Sequence, residues 1–242
     1  MLFLKSLYVR LMHAIGALLK ATGLITLLDR RAKTSRRAHW LRSLFSIYDI
    51  EGMIALDVPW WTYDAIDEVD AFLASRPDAR VFEFGSGAST VWLARRAARV
   101  TSVEHHEGWH ARVQSCLDQL GLAGKADLTL VRTESLPASD PIYVSEKAGE
   151  GGKSFEAYAR AIETHPDRPF DVIVIDGRVR AACLRHAQSA LAEGGMIVFD
   201  NSHRQRYRPA IEGSAFDARI LKGLTPTLPY PDETTLLRRR RG

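Results

Sequence analysis

Glu83, Glu104, Asp176, Asp200 and Asn201 each stand at or next to the end of a short apolar run. Polar groups in that place can accept the hydroxyl protons of a ribose, face a cationic ligand group, or hold a hard metal ion. Around the first of them the sequence reads RVFEFGSGASTVWLARR, residues 80–96. Val81–Phe84 has the composition of a buried strand, Gly85-Ser86-Gly87 of a turn, and Ser89-Thr90 opens an amphipathic helix. Glycines let a backbone approach a ligand closely, and N–H groups at a helix start attract electronegative atoms. Gly85, Ser86, Gly87, Ser89 and Thr90 are therefore candidates for cradling a nucleoside ligand. Glu83 would repel a phosphate but suits a ligand with a cationic end. The third glycine of the dinucleotide fingerprint is absent, because Thr90 occupies its place.

Glu104 follows the glycine turn by about twenty residues, the spacing at which a carboxylate accepts both ribose hydroxyl protons. Nicotinamide and S-adenosylmethionine (SAM) sites share that spacing. His105 is placed to edge the base, and Glu134, after the third strand, is a weaker candidate for an adenine contact. Asp176, Asp200 and Asn201 offer two carboxylates and an amide oxygen, hard ligands suited to Mg²⁺ or Ca²⁺. Such a cation would lower the pKa of a substrate hydroxyl. The alternative is that Asp176 orients ligand or substrate while Asp200-Asn201 make a turn.

The elements that must position these residues read as strands alternating with helices. The predicted strands are Val81–Phe84, Val100–Val103, Asp127–Val131, Phe170–Ile175 and Met196–Phe199, with two more at Arg219–Leu221 and Thr234–Leu237. Helices are expected over Asp64–Ser75, Trp109–Leu120, Ser154–His165 and Arg180–Leu191, the last ended by Glu193-Gly194-Gly195. The β-branched run at 172–175 predicts a strand buried on both faces, at the centre of a parallel sheet. Ligands of such sheets lie outside the carboxyl ends of the strands. Residues 137–153 read as a loop that covers the substrate side. Trp60, Trp61 and Tyr63 are either core or a lid over the cofactor.

Together these stretches resemble the class I SAM-dependent methyltransferases. The resemblance rests on P-W-x-x-Y from Pro59, E-F-G-S-G-x-S-T from Glu83, S-V-E-H from Ser102, V-I-D-G-R-x-R-x-x-C from Val174 and D-N-S-x-R-x-R-Y from Asp200. It spans Pro59–Arg239 and is similar to bacterial O-methyltransferase-like and FkbM-like groups of unassigned substrate. It implies a Rossmann-like, doubly wound, mostly parallel seven-stranded α/β sheet ending in a hairpin with one antiparallel strand. It also implies SAM as cofactor, its ribose on Glu104 and its charged methionine end facing Glu83 and Asp176. Catechol-type relatives hold a metal with an Asp and an Asp-Asn pair in these places and carry a lysine base three residues after the first Asp. Here that position is Val179. The implied activity is methyl transfer to an oxygen of a small-molecule or glycan- or lipid-linked acceptor. The rivals are a non-catalytic protein of this fold that binds membrane or RNA, and a nicotinamide-dependent oxidoreductase.

Residues 1–56 form a helical, basic extension to the domain at 57–242. One apolar seam runs through Leu4, Leu7, Leu11, Ala14, Leu18, Ala21, Ile25 and Leu28, predicting a helix that docks on this or a second subunit, lies on a membrane, or frays. Trp40–Met53 predicts another helix. At 242 residues, 46% hydrophobic and 26% charged, the chain has an ordinary globular composition. The net charge of +4 is concentrated at Arg30–Arg42 and Arg238–Arg241. Arg178, Arg180, Arg204, Arg206 and Arg208 suggest a cationic rim for an acidic acceptor. Nucleic acid is not expected as a partner. Cys116 and Cys183 read as core thiols of a reduced compartment, which points to the cytoplasm, with the inner membrane surface as a peripheral location.

Overall fold

A run of six residues, Phe170–Ile175, forms the centre of the molecule. Val172 and Val174 pack into one core and Ile173 and Ile175 into the other, all fully buried, so both faces of this strand are covered. The computed structural model describes residues 2–135, 137–147 and 149–240, with backbone alone for 2–5. The expectations placed on Met1, on the Leu4 side chain and on Arg241 lie outside the described residues.

In chain order the elements are α1 (Leu2–Ala21), α2 (Leu24–Ala32), α3 (Arg36–Ser43), α4 (Ile50–Ala55), α5 (Tyr63–Ala74), β1 (Arg80–Phe84), α6 (Ala88–Ala94), β2 (Arg99–Glu104), α7 (Glu107–Gln119) and β3 (Ala126–Leu130). A two-residue pair, β4 (Glu134–Ser135) and β5 (Lys153–Ser154), brackets the covering loop. Then come α8 (Glu156–Arg160), β6 (Phe170–Ile175), α9 (Arg180–Ala187), β7 (Leu191–Asp200), α10 (Arg208–Glu212), β8 (Phe216–Gly223) and β9 (Asp232–Arg239). The sheet order is β3-β2-β1-β6-β7-β9-β8. All pairings are parallel except those of β9, which runs antiparallel to both β7 and β8. This is the doubly wound, seven-stranded sheet with one antiparallel strand. Its order reverses between β1 and β6, which opens the crevice for a ligand.

Several boundaries differ from expectation for local reasons. The helix expected to reach Leu191 stops at Ala187, and β7 begins at Leu191. Glu193-Gly194-Gly195 does not end a helix. It is an irregularity within β7, where the register against β6 shifts and Gly194 takes φ 68°. The helix expected from Ser154 is one short segment, α8. Trp40–Met53 is broken by a tight turn at Leu44–Ser46 and by Tyr48 at φ 56°.

The single seam of the N-terminal helix is also broken. Gly23 at φ 74° separates α1 from α2, which are bent by 102°. The face of α1 that docks is not the leucine seam. Gly16 packs against Phe45, and His13 Nε2 donates to the Ile47 carbonyl at 2.8 Å. Leu7, Leu11 and Leu18 are exposed. Among the described residues no single helix is long and apolar enough to cross a membrane. The segment from α3 to α4 reaches the far end of the chain. Trp40 Nε1 donates to the Leu228 carbonyl at 2.9 Å, and Ser43 Oγ accepts the Thr227 N–H at 2.8 Å.

Candidate cofactor-binding site

The carboxyl ends of β1, β2 and β6 open into a cavity of about 430 Å³. Its floor is the turn from Gly85 to Ser89. Its walls include Glu104 and His105 after β2, and Asp176, Gly177 and Arg178 after β6. The turn is tight because two strand ends touch. Gly85 has φ 95°, and its N–H donates to the Val103 carbonyl at 2.9 Å. A Cβ on Gly85 would stand 2.6 Å from the Gly177 Cα, and one on Gly177 would run into the Tyr158 hydroxyl. Both positions therefore require glycine.

Glu83 is held beneath this floor and does not line the cavity. Ser89 Oγ donates to its Oε1 at 2.5 Å; Thr90 Oγ1 and Ser102 Oγ donate to its Oε2 at 2.5 and 2.7 Å. Thr90 Oγ1 in turn accepts the Gly87 N–H at 2.9 Å. The expected contact between Glu83 and a cationic ligand is thus replaced by an internal role. The carboxyl braces the glycine turn through the two hydroxyls that open α6. Of that pair only Ser89 reaches the cavity wall. Complete burial pushes the Glu83 carboxyl up to about 7, against the three hydroxyl donors that favour its charged form.

Glu104 does face the cavity, at the place the spacing predicts. Its Oε1 accepts the backbone N–H groups of His105 and His106, both at 2.8 Å. Its Oε2 accepts the Ser86 N–H and hydroxyl, both at 3.2 Å. Burial alone would raise this carboxyl, but the His105 side chain 2.9 Å away and the backbone donors outweigh it and hold it below the usual range. It is a fixed anion at the cavity edge. His105 stacks edgewise on Phe155 and Tyr158 beside it.

Asp176, Asp200 and Asn201 do not form a metal-binding face. The Arg180 guanidinium occupies the space between the carboxylates. Its Nη2 is 2.7 Å from Asp176 Oδ1, its Nη1 is 3.6 Å from Asp200 Oδ2, and it also donates to the Asp176, Gly177 and Asp200 carbonyls. Asn201 turns away at φ 49°, and its amide donates to Asp232 Oδ2 at 3.0 Å. A divalent cation would have to displace a buried guanidinium, and the donor set does not fit one. The expected metal site is therefore an arginine-bridged carboxylate pair. Burial is the main cause that raises both carboxyls, Asp200 well above the usual carboxylate range. One guanidinium cannot balance two carboxylates, so the pair retains a proton most readily on the more deeply enclosed Asp200. Asp176 alone of the three lines the cavity.

Other lining residues were not identified from sequence as ligand contacts. Trp109 forms a wall, and its Nε1 donates to the Ser86 carbonyl at 2.7 Å. Tyr48, Ile50 and Met53, from the segment before the domain, close one side with Trp60. The aromatic cluster expected as either core or lid is split. Trp61 and Tyr63 are buried, whereas Trp60 is at the cavity. Glu150 and Lys147 of the covering loop reach it from above. Glu134 lies exposed on β4, outside the cavity.

A family model described as a methyltransferase domain matches residues 82–202, half of the chain, from β1 to the turn after β7. Among solved structures the fold is similar to that of an O-methyltransferase from Bacillus cereus in complex with SAH, at 17% identity and a TM-score of 0.58, covering 82% of this chain and 90% of that one. It is also similar to the O-methyltransferase TomG from Streptomyces achromogenes in complex with SAM, at 18% identity and a TM-score of 0.52, covering 82% and 90%. No curated protein matches the chain in sequence. The chain belongs to the methyltransferase-domain family of class I SAM-dependent methyltransferases.

Proposed function

We propose that the protein binds SAM in the cavity at the ends of β1, β2 and β6 and transfers its methyl group to an oxygen of an acidic small-molecule or glycan- or lipid-linked acceptor. The observation that carries this reading is the charge of the lining. Glu104 is a fixed anion at the cavity edge with no lysine or arginine paired to it among the described residues, whereas Glu150 and Asp176 are paired with Lys153 and Arg180. An anionic wall suits a ligand with a sulfonium and an ammonium group and opposes the pyrophosphate of a nicotinamide dinucleotide. In this reading Glu104 takes the ribose hydroxyls, Trp109 and Trp60 the flat base, and the Gly85–Gly87 turn with Asp176 the amino-acid end.

When bound, SAM would supply an electrophilic methyl carbon on a sulfonium, which an acceptor oxygen could attack as the carbon–sulfur bond breaks and a neutral thioether leaves. Asp176 is the side chain suited to take the hydroxyl proton. It faces the cavity, and its partner Arg180 fixes its orientation. A second hollow of about 180 Å³ adjoins the first and shares Lys147, Gly177 and Arg178 with it. Arg178, Arg204 and Arg206 line this hollow. Arg178 Nε is buried without a hydrogen-bond partner among the described residues, and an acceptor carboxylate or phosphate would supply one. Arg180 is locked in the carboxylate bridge and Arg208 lies elsewhere, so the basic rim is narrower than the five arginines expected.

Calorimetric titration with SAM, with NADH as control, tests the cofactor. Micromolar-range binding of SAM alone is expected, weakened at least about tenfold in Glu104→Gln. Transfer of labelled methyl from SAM to a panel of hydroxylated acceptors, with and without an acidic group, tests the acceptor. Asp176→Asn is expected to weaken SAM binding and, at saturating SAM, still to lower turnover by about a hundredfold or more. Binding of NADH in place of SAM would overturn the reading.

A further inference from the structure

Charge and exposed apolar surface in this molecule coincide in one place. Residues 1–48 contain nine lysines or arginines and a single acidic residue, Asp29. Asp29 is already paired with Arg42 at 2.7 Å. The remaining 194 residues carry a net charge of −4, so the basic excess of the whole chain resides in this segment. Arg10, Lys20, Arg30, Arg31, Lys33 and Arg37 are exposed and form no ion pair among the described residues. Among the described residues the same segment holds seven of the ten large apolar side chains that stand exposed. Leu7, Leu11 and Leu18 on α1 and Leu24 and Leu27 on α2 each expose more than half of their surface. These leucines do not face the protein because α1 docks by its other side, through Gly16 and His13. On α2 no residue is buried at all.

We propose that α1 and α2 form an anchor that lies in the surface of an anionic bilayer, with the leucines in the acyl boundary and the arginines and lysines among the headgroups. Helices that combine an exposed apolar stripe with flanking basic residues bind in this way, and anionic lipid strengthens the binding through each cation. The 102° bend between α1 and α2 favours lying in the interface over crossing it. The alternatives fit less well. A second copy packed symmetrically on this face would bring two segments of net charge +8 together. A nucleic acid would satisfy the cations but leave the leucines in water. The proposal does not depend on the cofactor reading, since its surface lies outside the cavity lining. It would have the consequence that Tyr48, Ile50 and Met53, which follow α3 directly and wall the cavity, are held near the membrane.

The test is co-sedimentation of the full chain with vesicles of phosphatidylcholine alone and of phosphatidylcholine with phosphatidylglycerol. Binding to the anionic vesicles is expected, with partitioning at least about tenfold weaker on neutral vesicles or at high salt. Leu11→Glu/Leu18→Glu and, separately, Arg30→Glu/Arg31→Glu should each lower partitioning at least about tenfold. Both pairs are exposed, so the thermal transition should stay unchanged; if the leucine pair disturbs folding, the arginine pair decides. No partitioning into anionic vesicles would overturn the proposal, as would equal partitioning into both vesicle types. A dimer seen by sedimentation velocity and abolished by Leu11→Glu/Leu18→Glu would assign the face to a second copy instead.

Discussion

Glu83 shows how one carboxylate can matter to a binding site without touching the ligand. It is wholly buried under the glycine turn and pushed up to about 7, with desolvation as the leading cause. Its ordinary value is 4.5, so the folded state holds the proton more tightly than the unfolded chain. The stability contribution is complete below the unfolded value and is lost as the pH rises towards the folded one. Across that window the loss amounts to about 3 kcal/mol. Urea unfolding at acidic and at slightly alkaline pH should show this decline in the wild type and a flatter profile in Glu83→Gln. The sequence made the acid and its neighbouring hydroxyls visible but not their mutual aim. Ser102 is the register partner of Glu83 on the adjacent strand, a pairing that emerges only when β1 and β2 align. Glu104 was legible because its place follows from the length of one β-α-β unit. Of the two readings of Asp176, Asp200 and Asn201 the metal site fails, because Arg180, four residues after Asp176, reaches back between the two acids.

At the scale of elements, Arg180 is the tie between the ends of β6 and β7. It starts α9, donates to backbone carbonyls of both strand ends and to the Asp176 carboxylate, and stands 3.6 Å from the carboxylate of Asp200. Arg180→Gln would leave Asp176 and Asp200 buried without the cation that bridges them. The expected loss is about 3–5 kcal/mol at neutral pH, measured by urea unfolding. Both carboxyls can neutralise themselves by protonation, so the deficit should shrink as the pH falls; a pH-independent deficit would contradict this account. The strands themselves were legible from runs such as Val172–Ile175, whose composition requires burial on both faces. Helix ends were less so. Gly23 breaks the N-terminal helix and Gly194 serves a strand irregularity, and a glycine in sequence does not say which of the two it will do.

For the molecule as a whole, the segment before the domain is a structural partner of its last hairpin. Thr227, in the connection between β8 and β9, takes φ 66°, and its buried N–H is accepted by Ser43 while its hydroxyl accepts from Trp60 Nε1. Ser43→Ala would leave that N–H without its acceptor. A loss of about 1–3 kcal/mol is expected in thermal or urea unfolding, accompanied by weaker ligand binding, because Trp60 belongs to the cavity wall. Nothing in the sequence announces this contact, since the residues are 184 positions apart. The same distance concealed the contribution of Tyr48, Ile50 and Met53 to the cavity, although their apolar character was plain.

The position of β9 has a consequence for the order in which the molecule can be completed. This strand is made last yet inserts between β7 and β8, and its Thr234 hydroxyl donates to Asp200 at 2.9 Å. During synthesis β7 therefore waits with an unpaired edge until residues 232–239 have been made. Asp200 at its tip stays without that partner for the same interval. The charged centre of the site is sealed by the closing step of sheet assembly, so a nascent chain stalled before Asp232 would present an aggregation-prone edge and an unfinished cavity together.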